Sequence, residues 1–135
     1  MEFLSSSTLD DLYSEAMNSL RLRSHFNLHS NYEEQVQRLL IAMVKGSFVE
    51  PHFHDSPHQW ELFTVLKGTV KINHYSKSGE ILSSRYLGEE QDSIMVTIRP
   101  NEIHSVECIS ETALLLEIKE GPYKRDSAKV NVNFA

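Results

Sequence analysis

An antiparallel β-sandwich or barrel preceded by one helix is the fold class this sequence predicts. Three observations carry it. Apolar residues recur at helical spacing only near the N-terminus. From residue 35 onward the chain breaks into many short runs rich in alternating apolar and polar residues. Turn-forming stretches containing Gly, Pro, Asn and Ser separate those runs at regular spacing. No internal repeat, low-complexity tract or linker interrupts the 135 residues. They read as one domain, with a helical region over 1–24, a barrel over 35–120 and a tail over 121–135.

Composition narrows the function classes. A hydrophobic content of 40% with 24% charged residues is that of an ordinary globular chain, and the length suffices for a core without staples. The formal net charge of −6 argues against a nucleic-acid or anionic-membrane partner. Cys108 is the only cysteine, so no internal disulfide forms. The N-terminus lacks a basic region followed by an apolar stretch, and no segment is long and apolar enough to span a bilayer. A cytoplasmic protein is the expectation.

In the helical region, Leu9, Leu12, Tyr13, Ala16, Met17 and Leu20 form one apolar stripe. Ser7 or Thr8 serves as the expected N-cap, with Asp10 and Asp11 at the positive end of the dipole and Arg21 and Arg23 near the negative end. Residues 23–32 have no helical period and read as a surface connection. If extended, they would place His25, Asn27 and His29 on one face. The run over 35–44 is a long strand, apolar on both faces and therefore covered on both sides. Strands follow over 47–54, 60–67, 69–75, 81–87, 93–98, 103–109 and 113–119. Pro51 marks an edge or a bend, and the V-N-V-N-F tail reads as a loose or edge-lying segment.

The chemistry concentrates between Gly46 and Gly68. His52 and His54 are two apart, so a strand presents both imidazoles on one face, the start of a metal site. Glu61 opens the next strand and is placed to add an oxygen ligand.

The order Gly46-x5-His52-x-His54, then Glu61-x6-Gly68, then Pro100-x3-His104, resembles the two cupin motifs. That resemblance implies an all-β cupin double-stranded β-helix, a jelly-roll barrel, with an N-terminal α-helix. It also implies a metal held by His52, His54, Glu61 and His104. The pattern departs in places. The six-residue gap between His54 and Glu61 is longer than usual, which makes His58 the alternative ligand, and Glu102 stands where a glycine is expected. A closer resemblance is to the WbuC family of cupin-fold metalloproteins. It rests on N-L-H at 27–29, V-Q-R-L at 36–39, P-H-F-H at 51–54, W-E-L-F-x-V-L-x-G at 60–68, I-R-P-N-E-I-H at 98–104 and E-I-K-E-G-P-Y at 117–123. Proteins of that kind are associated with gene clusters for bacterial surface polysaccharide, O-antigen included.

Four polar ligands converging in an apolar barrel are costly to bury without an ion. Imidazole with carboxylate suits a divalent transition metal, Fe, Mn, Ni or Zn. His25, Asn27, His29, Gln37 and Arg38 form a candidate polar rim for a hydrophilic small molecule. Arg38 has the strand parity of Leu40 and Ala42, where a guanidinium needs an acidic partner or a bound anion. Cys108 reads as a small buried hydrophobe and His74 as non-catalytic, while Tyr75 and Glu102 carry proton-transfer chemistry but read first as core or surface. Three function classes follow: a metal-dependent enzyme acting on a sugar or sugar-nucleotide, a non-catalytic metal-cupin binding or regulatory module, and an Fe(II)-dependent dioxygenase. Pairing of two copies through sheet edges is what the cupin resemblance implies for assembly.

Overall fold

A computed structural model describes residues 1–124 and 129–134. One helix, α1 (Ser6–Asn18), precedes the strands β1 (Arg23–Asn27), β2 (Val36–Val44), β3 (Phe48–Phe53), β4 (Glu61–Lys67) and β5 (Thr69–Tyr75). The remainder are β6 (Ile81–Gly88), β7 (Met95–Ile98), β8 (Ile103–Cys108), β9 (Thr112–Glu120) and β10 (Val130–Asn131). Among the described residues they pair into two antiparallel sheets, ordered β1-β2-β9-β4-β7 and β10-β3-β8-β5-β6. No described helix is long and apolar enough to cross a membrane.

The helix begins two or three residues earlier than its sequence suggests. Ser5, not Ser7 or Thr8, is the N-cap: its Oγ accepts the Thr8 amide hydrogen at 3.2 Å. The buried stripe is also shorter. Leu12 and Ala16 are buried, with Leu9 and Tyr13 packed beside them, whereas Met17 is 63% exposed and Leu20 fully so. The helix ends at Asn18, so Arg21 and Arg23 lie beyond its last turn and do not act on its dipole.

Residues 23–27 are a strand rather than a connection, paired along the edge of β2 with His25 opposite Ile41 and Asn27 opposite Leu39. Single-sequence periodicity is weak over five residues with one large apolar side chain, and the ladder to β2 supplies the missing order. Strand β2 explains its own two-sided hydrophobicity. Leu39, Ile41 and Met43 enter the core between the sheets, while Leu40 and Ala42 pack with Leu114 under α1.

Pro51 sits where the β3–β8 register shifts between Val49 and His52, a bulge that spares the ladder the amide hydrogen proline lacks. Its carbonyl accepts from Val132, and β10 lies against the outer edge of β3. The tail therefore lies along that edge over residues 130–132. Residues 125–128 and Ala135 of the 121–135 tail lie outside the described residues.

Gly68 closes the β4–β5 turn with φ +79°. A Cβ there would meet the Thr112 carbonyl oxygen and stand 2.9 Å from the Ala113 Cα, both backbone atoms of β9. Left-handed strain and a backbone clash thus act together. We expect Gly68→Ala to lower unfolding free energy by roughly 3 kcal/mol, read by urea denaturation. A midpoint unchanged from the native chain would show that the turn tolerates a side chain.

Candidate metal centre

Register assembles the polar cluster. His52 on β3 is the cross-strand partner of His104 on β8, so both imidazoles leave the same sheet side by side. Their ring centroids are 4.3 Å apart. His54 follows two residues on, just past the end of β3, with its ring edge-on to His52 at 5.3 Å. Glu61 comes from the opposite sheet, at the first residue of β4. One ligating atom from each of His52, His54, Glu61 and His104 lies within 4.8 Å of all the others, and all four residues are buried.

Backbone contacts orient two of the rings. Nδ1 of His52 donates to the Glu50 carbonyl at 2.9 Å, and Nδ1 of His104 donates to the Glu102 carbonyl at 2.9 Å. A carbonyl accepts only, so the proton sits on Nδ1 and each Nε2 presents a lone pair to the cluster. Both carbonyls belong to the residue two before the histidine, an arrangement repeated on the two strands.

Glu61 faces these lone pairs as another acceptor. Its Oε1 is 2.9 Å from His54 Nε2 and its Oε2 is 3.3 Å from His104 Nε2. Distance alone does not make a hydrogen bond: buried Glu61 Oε2 and His104 Nε2 have no partner at a bonding angle. Converging acceptors in a buried site require a cation between them. Three imidazoles and one carboxylate are the donor set of a divalent transition metal, and the residues present fit one.

Charge states agree with ligation. Burial, then the neighbouring His104, lowers the His52 pKa to about 4, so the imidazole is neutral at ordinary pH. Burial pushes Glu61 up, but hydrogen-bond donors held against its carboxylate outweigh it and keep the carboxyl well below the usual range. Glu117 goes the other way: burial first, then the Glu61 charge, raise it well above the usual range. The two carboxyls share one charge, carried by Glu61, with Glu117 as the neutral donor beside it.

Glu117 was not legible as a site residue, although a signal exists. Ala113, Leu115, Glu117 and Lys119 share strand parity on β9, so a carboxyl and an ammonium continue an inward apolar row. The register completes the reading. Glu117 stands between Leu39 and Phe63, and Lys119 between Gln37 and Glu61.

The other expected residues separate. His58 is exposed in the loop before β4, away from the cluster. His25 lines a cavity of about 240 Å³ whose walls include His52, His54, Glu61, Phe63 and Leu115. Gln37 is buried, donates to the Glu34 carbonyl at 2.6 Å, and borders a narrow slot beside His54 and Glu61. His29 is buried with its Nδ1 accepting the Arg38 amide hydrogen at 3.0 Å. Asn27 is exposed, and Arg38 pairs with Glu34 at 3.0 Å, the acidic partner its position called for. The five therefore do not make one rim: His25 and Gln37 border the cluster, and His29 and Arg38 fasten the 29–38 segment.

Tyr75 is held by Ser105 Oγ at 2.9 Å, away from the cluster. His74 and Glu102 line a second cavity of about 230 Å³ on the far side of His104. The lining of the first cavity adds residues that sequence reading left aside: Arg21, Arg23, Lys119, Tyr123 and Lys129.

A family model described as a domain of unknown function, DUF6016, matches residues 4–87. The chain belongs to the DUF6016 family. The matched span of this DUF6016 chain contains His52, His54 and Glu61 and ends before His104. No curated protein matches the sequence. Solved structures do. Oxalate oxidase in complex with the substrate analogue glycolate superimposes with a TM-score of 0.64 at 15% identity, covering 86% of this chain and 58% of that one. The capsular polysaccharide assembling protein CapF from Staphylococcus aureus gives 0.67 at 16% identity, covering 81% and 31%. A cupin superfamily protein from Desulfitobacterium hafniense DCB-2 gives 0.56 at 16%, covering 73% and 76%. The DUF6016 chain has the cupin fold, and it spans little more than half of oxalate oxidase and under a third of CapF.

Cys108 is 2% exposed in the core, and its Sγ donates to the Ser110 carbonyl at 3.3 Å. Burial raises its pKa to about 11. At pH 8 the folded chain should react with a thiol reagent on the order of a hundredfold more slowly than the urea-unfolded chain. Equal rates would show that the thiol is accessible.

Proposed function

We propose that this chain is a metal-binding cupin of the WbuC type that acts on a sugar or sugar-nucleotide in bacterial surface polysaccharide assembly, O-antigen included. The observation that carries the metal reading is the buried convergence of His52, His54, His104 and Glu61, one ligating atom of each within 4.8 Å of the others. The polysaccharide reading is supported by the six sequence stretches shared with the WbuC family. It is also supported by the likeness to CapF, whose name assigns that protein to capsular polysaccharide assembly. A hydrophilic small molecule is the partner, and the cytoplasm the compartment, in this reading.

His52, His54 and His104 would hold a divalent transition metal through nitrogen, and Glu61 through oxygen. Such an ion supplies Lewis acidity toward a carbonyl or a diol. The chain's own residues do the rest. The carbonyls of residues 50 and 102 fix two imidazole tautomers. Glu117 keeps its proton and so leaves the negative charge on Glu61. Ile41, Met43, Phe63, Val106 and Leu115 exclude water from the cavity walls.

A non-catalytic binding module is the second reading, and one observation favours it. The acid–base groups nearest the cluster are already engaged: Glu117 is held against Glu61, and the His25 pKa is lowered to about 4 by burial and then by surrounding cations.

Protein purified without chelator should carry close to one metal ion per chain by elemental analysis. His52→Ala and His104→Ala should each lose most of it; full stoichiometry in both would end the metal reading. Turnover of sugar-nucleotides or sugars by the metal-loaded chain, abolished on chelation, supports the enzyme. Binding without turnover favours the module.

A further inference from the structure

The mouth of the metal cavity carries a charge arrangement that the cluster itself does not use. Arg21, Arg23, Lys119 and Lys129 line the same cavity as His52, His54 and Glu61. The chain as a whole has a net charge of −6, so four cations at one opening run against its average. Among the described residues, Arg21, Arg23 and Lys129 make no ion pair within 4.0 Å, and Lys119 reaches Glu117 only at 3.9 Å.

The cations share one space. All four act on His25, which stands among them, and after partial desolvation they keep its imidazole neutral. Burial, then Arg21, also lowers the Arg23 guanidinium, and burial with Arg23 and Arg21 lowers the Lys129 ammonium. Glu50 offsets both in part, and Glu61 offsets Lys129. Arg23 and Lys129, partly desolvated and repelled by their neighbours, are stabilised by an anion placed among the four cations.

Their positions are built into the fold. Ser47, buried, donates its hydroxyl to the Arg21 carbonyl at 2.8 Å, and the Val44 amide hydrogen bonds the Leu22 carbonyl at 2.9 Å. Arg23 stands opposite Met43 and shares its inward strand parity, as His25 does opposite Ile41. Arg23 opens β1 and Arg21 lies in the turn just before it, so two guanidinium forks border one cavity and suit the oxygens of a carboxylate or a phosphate.

We propose that this mouth receives the anionic group, a carboxylate or a phosphate, of a small ligand whose other end reaches the His52–His54–Glu61–His104 cluster. The cavity of about 240 Å³ has roughly the volume of eight waters, room for a small ligand, and the cations on its lining set the place of the anion. This rests on reading the cluster as a metal centre and adds the substrate's charge to that reading.

Isothermal titration of the metal-loaded chain with glucose, glucuronate, glucose 6-phosphate and inorganic phosphate tests it. At least one anion should bind about tenfold or more tightly than glucose, and more weakly as sodium chloride is added. Which anion binds distinguishes carboxylate from phosphate. Arg21→Gln combined with Arg23→Gln should lose at least about tenfold of that affinity, and Arg23→Lys alone should keep part of it. Thermal melting confirms that each variant is folded. Glucose binding as tightly as every anion, no binding of any anion at millimolar concentration, or undiminished affinity in the double variant would overturn the proposal. Metal content measured on the same samples separates the two readings. Full metal without anion preference removes only the anionic mouth, whereas anion binding by a chain that takes up no metal removes only the metal centre.

Discussion

Three imidazoles and one carboxylate buried around a single point are the constraint around which this molecule is arranged. Lone pairs on the Nε2 atoms of His52 and His104 face the Glu61 carboxylate, and the apolar walls deny them water. Such a site is unstable by itself. The surrounding backbone orders two of the rings, Glu117 lies against the carboxylate, and the donor set fits a divalent cation. The carbonyls of Glu50 and Glu102 fix where each imidazole proton resides, and hence what the site can hold.

The sheet β1-β2-β9-β4-β7 supplies one wall through two different faces. Its outer face is apolar where α1 covers it, through Leu40, Ala42 and Leu114. Its inner face changes character along the strands. The row Ile41–Leu115–Val65 is core, the row Asn27–Leu39–Glu117–Phe63 introduces one carboxyl, and the row Gln37–Lys119–Glu61 is polar throughout. Each step of two residues moves from packing toward chemistry. The core therefore anchors the site without an additional scaffold, and Met43 and Leu115 among its largest buried side chains hold the strands in register.

Charge is distributed with the same economy. An acidic chain places its arginines at 21 and 23 and its lysines at 119 and 129 about one opening. The arginines read as helix-dipole partners when the helix was expected to reach them. Once it stops at Asn18, Arg23 belongs to the edge strand, Arg21 to the turn before it, and both to the cavity mouth. Their meaning changed because helix termination is decided by tertiary packing: Leu20, the next member of the apolar stripe, has nothing to pack against.

What the chain alone determines is what depends on near neighbours. The alternation of short strands, the glycine turn at 68 and the parity of His52 with His54 are local properties, and the strand period of two carries them without reference to the rest of the molecule. The tertiary structure decided everything that depends on register between distant segments. It brought Glu61, rather than the exposed His58, to the histidines, and it set His104 opposite His52. It made a strand of residues 23–27, which have too few apolar side chains to announce one. It dispersed the expected rim, sending Arg38 outward to Glu34 and leaving His25 on the lining of the cavity. It also brought Glu117 and Lys119 into the site from a strand that reads as ordinary core. Side-chain parity is written in two residues of sequence. Cross-strand pairing is fixed only when the whole apolar face of each sheet is buried at once.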